Sequence, residues 1–222
     1  MSPISGVAPV IAIDGPAASG KGTLARRVSR TLGYALLDTG ALYRAVGLAM
    51  LRAGGDLRDV EAATATARAL DAAQIRDLTA DPALRQDGAA QAASIVSAYP
   101  GVRQALMDFQ RGFAANPPDG AAGAVLDGRD IGTVICPDAA VKLFVTASVE
   151  VRAERRFKEL GGAEKGVDFQ AVLADMRARD ERDTTRAVAP LVPATDAVLL
   201  DTSSLGADAA FDAAMQVIRA RL

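Results

Sequence analysis

Five short runs of the chain are almost wholly apolar: residues 10–13, 35–37, 124–127, 141–145 and 197–200. A strand with one wet face alternates apolar and polar positions. A nearly unbroken run suits a strand covered on both faces, as in a parallel sheet. Between these runs lie segments with helical spacing, at 21–32, 41–51, 148–160, 169–182 and 208–221. In the fourth, Phe169, Val172, Leu173 and Met176 fall at i, i+3, i+4 and i+7 and make one apolar stripe. Gly33, Gly54 and Gly161 follow three of the segments and supply their stops. Strands alternating with helices predict a doubly wound α/β fold with a parallel, five-stranded sheet flanked by helices.

Two stretches break the rhythm. Residues from about 56 to 120 are Ala-rich and polar and hold no convincing strand, with helix-like pieces near 60–72 and 91–110. Residues 161–167 form a short gap rich in glycine and charge. Both read as lobes mounted on the sheet. With 222 residues, no repeat and no low-complexity linker, one domain carrying inserts is expected.

Composition narrows the chemistry. Lys and Arg number 25 against 27 Asp and Glu, a net charge of −2, which argues against nucleic-acid or membrane-surface binding. There is no histidine, so a Ser-His-Asp triad, a Cys-His pair and a His metal site are all excluded. Cys136 stands alone and is expected to be a buried, inert thiol. No apolar stretch is long enough to cross a bilayer, and the opening MSPISGVAPV lacks a basic region followed by a long apolar one; a cytoplasmic location is expected.

The segment IDGPAASGKGT follows the first apolar run and opens the first helix. Gly15, four residues, Gly20 and then Lys21 make a phosphate-loop pattern in the context it needs. Glycines let backbone N–H groups turn inward, the helix N-terminus adds partial positive charge, and Lys21 supplies a mobile cation. An ordinary glycine-rich turn is the plainer reading, but motif, strand and helix agree. Lys21 is expected at the exposed mouth of the loop. The residue after it is Gly22, and the hydroxyl arrives at Thr23, a form that resembles adenylate-kinase-like nucleotide kinases more than switch GTPases. Asn116 is the only asparagine, so no Asn-Lys-x-Asp guanine reader exists, and no Leu-Ser-Gly-Gly-Gln stretch marks a transport ATPase. Kinases of small metabolites or nucleotides remain.

Arginines gather near strand ends. Arg44 falls in the first turn of a helix, where a cation opposes the dipole; Asp38 or Thr39 can cap that helix, and a bound anion would resolve the conflict. Asp127 ends the third strand, placed like the acidic residue that holds the water shell of Mg²⁺ in phosphate-loop enzymes, and Arg129 and Asp130 follow it. Arg152, Arg155 and Arg156 share one helix face, and such neighbours repel unless something anionic comes between them. Arg179 with Asp183, and Arg182 with Arg186, are spaced i, i+4 beyond the flexible gap, an arrangement that suits a closing lid.

GPAASGKGT, LLDTGALYRA, AASIVSAYPGVR, DGRDIGTVICPDA, RAERR and RDERDTTRAVAPLVPA occur in this order and span nearly the whole chain. Together they resemble the bacterial cytidylate kinases. The resemblance implies transfer of the γ-phosphoryl of ATP to CMP or dCMP with Mg²⁺, on a core bearing a monophosphate-binding lobe, about 56–120, and a short lid, about 152–170. It places Gly15, Pro16, Ala17, Ala18, Ser19, Gly20, Lys21, Gly22 and Thr23 on the ATP phosphates. Thr39, Tyr43, Arg44, Arg129 and Arg179 would surround the monophosphate, Ser94, Arg103, Asp130 and Arg186 would face cytosine, and Asp183 the ribose. Lys21, Arg152, Arg155 and Arg156 would act on the transferring group, with Thr23 and Asp127 near the metal. The stretch before Ser94 is shorter than in many members. A monomer that binds neither nucleic acid nor membrane is expected. A kinase with another acceptor, such as UMP/CMP or dephospho-coenzyme A, and a nucleotide-binding regulatory module are the rival readings.

Overall fold

The computed structural model describes residues 8–85 and 87–222. The expectation drawn from the opening MSPISGVAPV falls mostly on residues 1–7, outside the described residues. The sheet is five-stranded and fully parallel. In chain order its strands are β1 (Val10–Asp14), β2 (Ala35–Asp38), β3 (Ala124–Gly128), β4 (Val141–Thr146) and β5 (Val198–Asp201). Their spatial order is β2-β3-β1-β4-β5, so β1 lies at the centre. The register places Asp14 beside Gly128, Asp38 beside Asp127, and Thr146 beside Asp201. The polar carboxyl ends of the strands thus meet along one edge, where an open α/β sheet binds ligands.

Helices α1 (Lys21–Leu32) and α9 (Ala207–Arg221) cover one face. Their Leu24, Val28, Met215 and Ile218 pack with Ile11, Ile13, Val125 and Leu143. On the other face, Ala12, Leu37 and Leu126 pack with Ile131 and Ile135, from a π-helical turn after β3, and with Ala114. Ala114 belongs to α6 (Pro100–Ala115). β5 departs from the expected double coverage: Leu199 is 62% exposed, and the strand alternates inward and outward as an edge.

The region without strands is helical: α3 (Val60–Ala69), α4 (Ala72–Ala80), α5 (Asp87–Val96) and α6 pack on α2 (Thr39–Arg52). The piece expected near 91–110 is two helices, because Pro100 starts α6 at a position where its missing N–H costs nothing. Beyond β4, α7 (Val149–Glu159) and α8 (Phe169–Thr185) form a pair joined through Gly161, Gly162 and Gly166, all with positive φ. Among the described residues no helix is long and apolar enough to cross a membrane.

Candidate active site

The phosphate loop is shaped by close approaches. Gly15 has φ 148°, and a Cβ there would lie 1.9 Å from the Val145 carbonyl oxygen, so no other residue fits. Gly22 faces Asp127: an added Cβ would stand 3.1 Å from Asp127 Oδ2. Lys21 is buried, not exposed at a mouth as its sequence context suggests. Its Nζ donates to the Pro16 carbonyl at 3.3 Å and lies 3.8 Å from Asp127 Oδ1. Burial, then the nearby Arg129, pulls its pKa down to about 8. Burial pushes Asp127 upward, with Lys21 opposing. Thr23 is exposed, and its Oγ1 accepts from Arg26 at 3.3 Å.

A cavity of about 240 Å³ opens beside the loop. It is lined by Thr39, Tyr43, Arg44, Ser94, Arg103, Arg129, Asp130, Arg179, Asp183 and Arg186, with Ala18, Gly20, Lys21, Gly22, Thr23 and Asp127 at the loop end. Gly15, Pro16, Ala17 and Ser19 are not part of this lining, though Ala17 lines the wider groove that adjoins it. Ala17 also packs against Ala153 of α7 and Val172, Leu173 and Met176 of α8.

Pairings inside the cavity differ from those the spacing suggests. Asp38 caps α2 by accepting from Ala41 N at 3.1 Å, and Arg44 donates to its other oxygen at 2.7 Å. Because α2 starts at Thr39, Arg44 falls in its second turn and not the first, and a carboxylate of the chain itself answers its charge. Thr39 Oγ1 is turned away from capping and donates to the Asp127 carbonyl at 2.8 Å. Asp183 accepts from Arg129 Nε at 3.1 Å, not from Arg179. Burial pushes the Asp183 carboxyl upward, but Arg129, Arg179 and Arg186 outweigh this and hold it below its ordinary value. Arg103 pairs with Asp130 and donates to the Ser97 carbonyl at 3.2 Å. Arg186 lies 3.7 Å from the other Asp130 oxygen. Arg179 Nε is buried without a hydrogen-bond partner. Burial and then Arg129 depress the Arg179 pKa to about 10.

Arg152, Arg155 and Arg156 do not form a shared anion site here. Arg152 is buried and donates to the Ala17 and Ala147 carbonyls and to both oxygens of Asp180. Arg155 donates to the Ser19 carbonyl and to Thr202. Arg156 pairs with Glu159 at 3.1 Å and lines a wider groove of about 1380 Å³ that adjoins the cavity. Their mutual repulsion is relieved by three separate sets of protein acceptors, two of which brace the phosphate loop from outside.

Sequence reasoning passed over Asp14, Thr202 and Asp180, and it placed Arg182 only by its spacing from Arg186. Asp14 accepts from the N–H groups of Ile131 and Gly132, both at 2.8 Å, and so anchors the turn that follows Arg129 and Asp130. Burial pushes its carboxyl up to about 7 despite these bonds. A carboxylate ending a buried strand was the available signal. Thr202, buried after β5, donates to the Ser19 carbonyl at 2.9 Å. Asp180 receives Arg152, and Arg182 reaches Ser94. Neither of the last two pairings follows from spacing, because the partners are 28 and 88 residues apart.

A central β1, a phosphate loop and a cation-lined cavity at the strand ends define a phosphate-loop nucleotide kinase. The chain belongs to the cytidylate kinase family, whose sequence profile matches residues 11–220. It is 65% identical to the cytidylate kinase of Paramagnetospirillum magneticum over 94% of this chain and 97% of that one. The cytidylate kinase of Rhodospirillum rubrum is 59% identical over 94% and 96%, and that of Azorhizobium caulinodans 61% over 96% and 99%. Among solved structures, an uncharacterized protein from Eubacterium ventriosum superposes with a TM-score of 0.53 at 15% identity, covering 96% of this chain and 99% of that one. That likeness concerns the fold alone.

Proposed function

We propose that the chain transfers the γ-phosphoryl group of ATP to CMP or dCMP, giving ADP and CDP or dCDP. The observation that carries this reading is the buried Arg179, its Nε unpartnered, beside Arg129 in the cavity that Lys21 enters. Like charges held together in low dielectric repel, and an acceptor phosphate between them relieves both. The names of the relatives supply the acceptor's identity.

In this reading the loop N–H groups and Lys21 hold the ATP phosphates. Arg44, Arg129 and Arg179 orient the monophosphate so that one oxygen lies in line with the γ-phosphorus. That oxygen forms the new bond as the bond to the β–γ bridging oxygen breaks. The acceptor phosphate is already ionised near neutrality, so no general base is required. Ser94, Arg103, Asp130 and Arg186 face the base, and Asp183 the sugar. Residues 56–120 serve as the monophosphate lobe and 152–170 as the lid, with Arg156 carried toward the phosphates when it closes.

The residues present suit Mg²⁺. Asp127 is a buried carboxylate, too far from Lys21 for a hydrogen bond and raised in pKa by burial, so it is short of positive charge. With the Thr23 hydroxyl it makes an oxygen-only pair, matching an ion that keeps several waters. Mg²⁺ when bound neutralises charge on the β- and γ-phosphate oxygens.

A coupled assay of ADP release across a panel of monophosphates tests the reading. CMP and dCMP should turn over, with kcat/KM for UMP lower by on the order of 10²-fold. Near-equal values for CMP and UMP would assign the chain a broader pyrimidine acceptor.

A further inference from the structure

We propose that Arg182 is a positioning residue that fixes the direction of the Ser94 hydroxyl proton and so helps select the base of the acceptor. The inference rests on the monophosphate reading above. Arg182, on α8, donates through Nε to Ser94 Oγ, on α5, at 3.1 Å. This bond crosses between two elements that meet little elsewhere. Ser94 is buried and lines the cavity together with Arg103 and Asp130.

A serine hydroxyl is both donor and acceptor, and it turns to suit its partner. Left alone, Ser94 could meet either pyrimidine, donating to the N3 lone pair of cytosine or accepting from the N3–H of uracil. A guanidinium has only donors. Arg182 takes one of the two Ser94 lone pairs and keeps the hydroxyl proton off its own direction, which biases the side chain toward donating to the base. Within a helix such a proton can return to a carbonyl one turn back, but among the described residues Ser94 makes no such bond. Among the described residues the bond from Arg182 is the one hydrogen bond the Ser94 side chain makes.

The neighbours make this proton the available donor. Arg103 directs Nη1 at the Ser97 carbonyl and Nη2 at Asp130, so two corners of its fork are occupied by the protein. Asp130 in turn supplies acceptor oxygens. A ring that offers an acceptor at N3 and a donor at its 4-amino group complements a donating Ser94 beside Asp130. A ring with both polarities reversed leaves the hydroxyl proton facing an N–H. Buried polar groups left unpaired are costly, which is how such a site rejects an isostere.

The test measures kcat/KM for CMP and UMP in the wild type, Arg182→Met, Arg182→Lys, Ser94→Ala and Ser94→Ala/Arg182→Met. Methionine keeps the apolar stem and removes the donor; lysine keeps a donor. The CMP-to-UMP ratio should fall roughly tenfold in Arg182→Met, chiefly through CMP, and stay within about threefold of wild type in Arg182→Lys. In the Ser94→Ala background, Arg182→Met should leave the ratio unchanged, an outcome that a merely structural role for Arg182 does not produce. If the wild type already fails to prefer CMP, the acceptor reading falls and takes this assignment with it. If the wild type prefers CMP and the ratio survives Arg182→Met, or if the two substitutions act additively, the assignment of Arg182 alone is overturned.

Discussion

Lys21 is a cation the fold holds at a cost. Its lowered pKa means that the folded state disfavours the charge it carries. Replacing it with methionine should therefore leave the thermal midpoint within a few degrees of wild type. The kcat should fall about 10²–10³-fold, because the lost interaction is with charge on the transferring phosphoryl. A kcat within a few-fold of wild type would remove Lys21 from the chemistry. Asp14 yields a pH prediction. The folded chain keeps its proton up to about pH 7, whereas the ordinary value is 3.8. Between these values the folded state binds more protons than the unfolded one, so this group's contribution to stability falls as pH rises. Chemical denaturation of wild type and Asp14→Asn from pH 4 to 8 should show curves that diverge by on the order of a few kcal/mol, with wild type losing ground until about pH 7 and not beyond. Parallel curves would show that Asp14 is ionised throughout. At this scale the sequence makes the residues around the cavity legible, since motif residues at strand ends converge by topology. It does not reveal who pairs with whom. Asp183 lies one helical turn from Arg179, yet its hydrogen bond goes to Arg129, 54 residues away.

Helix α7 acts on the phosphate loop through two arginines. Arg152 ties the Ala17 carbonyl to Asp180 on α8, and Arg155 ties the Ser19 carbonyl to Thr202 after β5. Removing Arg152 leaves Asp180 partly solvated, so the loss should lie below the 3–5 kcal/mol of a fully buried pair, about 2 kcal/mol. Arg152→Met should also raise KM for ATP more than KM for CMP, because it is the loop that loses its brace. Equal effects on both would place Arg152 outside the loop's support. The main elements were legible because each carries a strong periodic signal; β1, for example, extends its expected run only by Asp14. The insert was less so. Helix α4 has no broad apolar stripe, and its start depends on Asp71, whose side chain accepts from Gln74 N while Gln74 reciprocates, a local exchange that hydrophobic spacing does not detect. β5 misled for the opposite reason: an apolar run read as buried proved to be an edge strand with Leu199 outward.

Over the whole molecule a net charge of −2 conceals a strong local imbalance. Lys21, Arg44, Arg129 and Arg179 come from four separate regions of the chain and meet around one cavity, which Arg103 and Arg186 also line. Folding therefore brings cations together before any substrate is present, and the depressed pKa values of Lys21 and Arg179 record the cost. An acceptor phosphate should recover that cost on binding, so the phosphate rather than the nucleoside should dominate ligand stabilisation. At about a hundredfold excess over Kd, mass action adds about 2.7 kcal/mol, which for a chain of this size is roughly 5–10 °C in thermal midpoint. CMP at such a concentration should produce that shift, and cytidine at the same concentration almost none. Salt should diminish the CMP shift only modestly, because buried charges are screened less than exposed ones. In Arg179→Met the unliganded protein should melt no lower than wild type, since a repelling cation has been removed, while the shift with CMP shrinks by half or more. A cytidine shift equal to that of CMP would move the binding energy to the base. An Arg179→Met protein that melts several degrees lower without ligand would show that Arg179 holds the fold together instead of waiting for an anion.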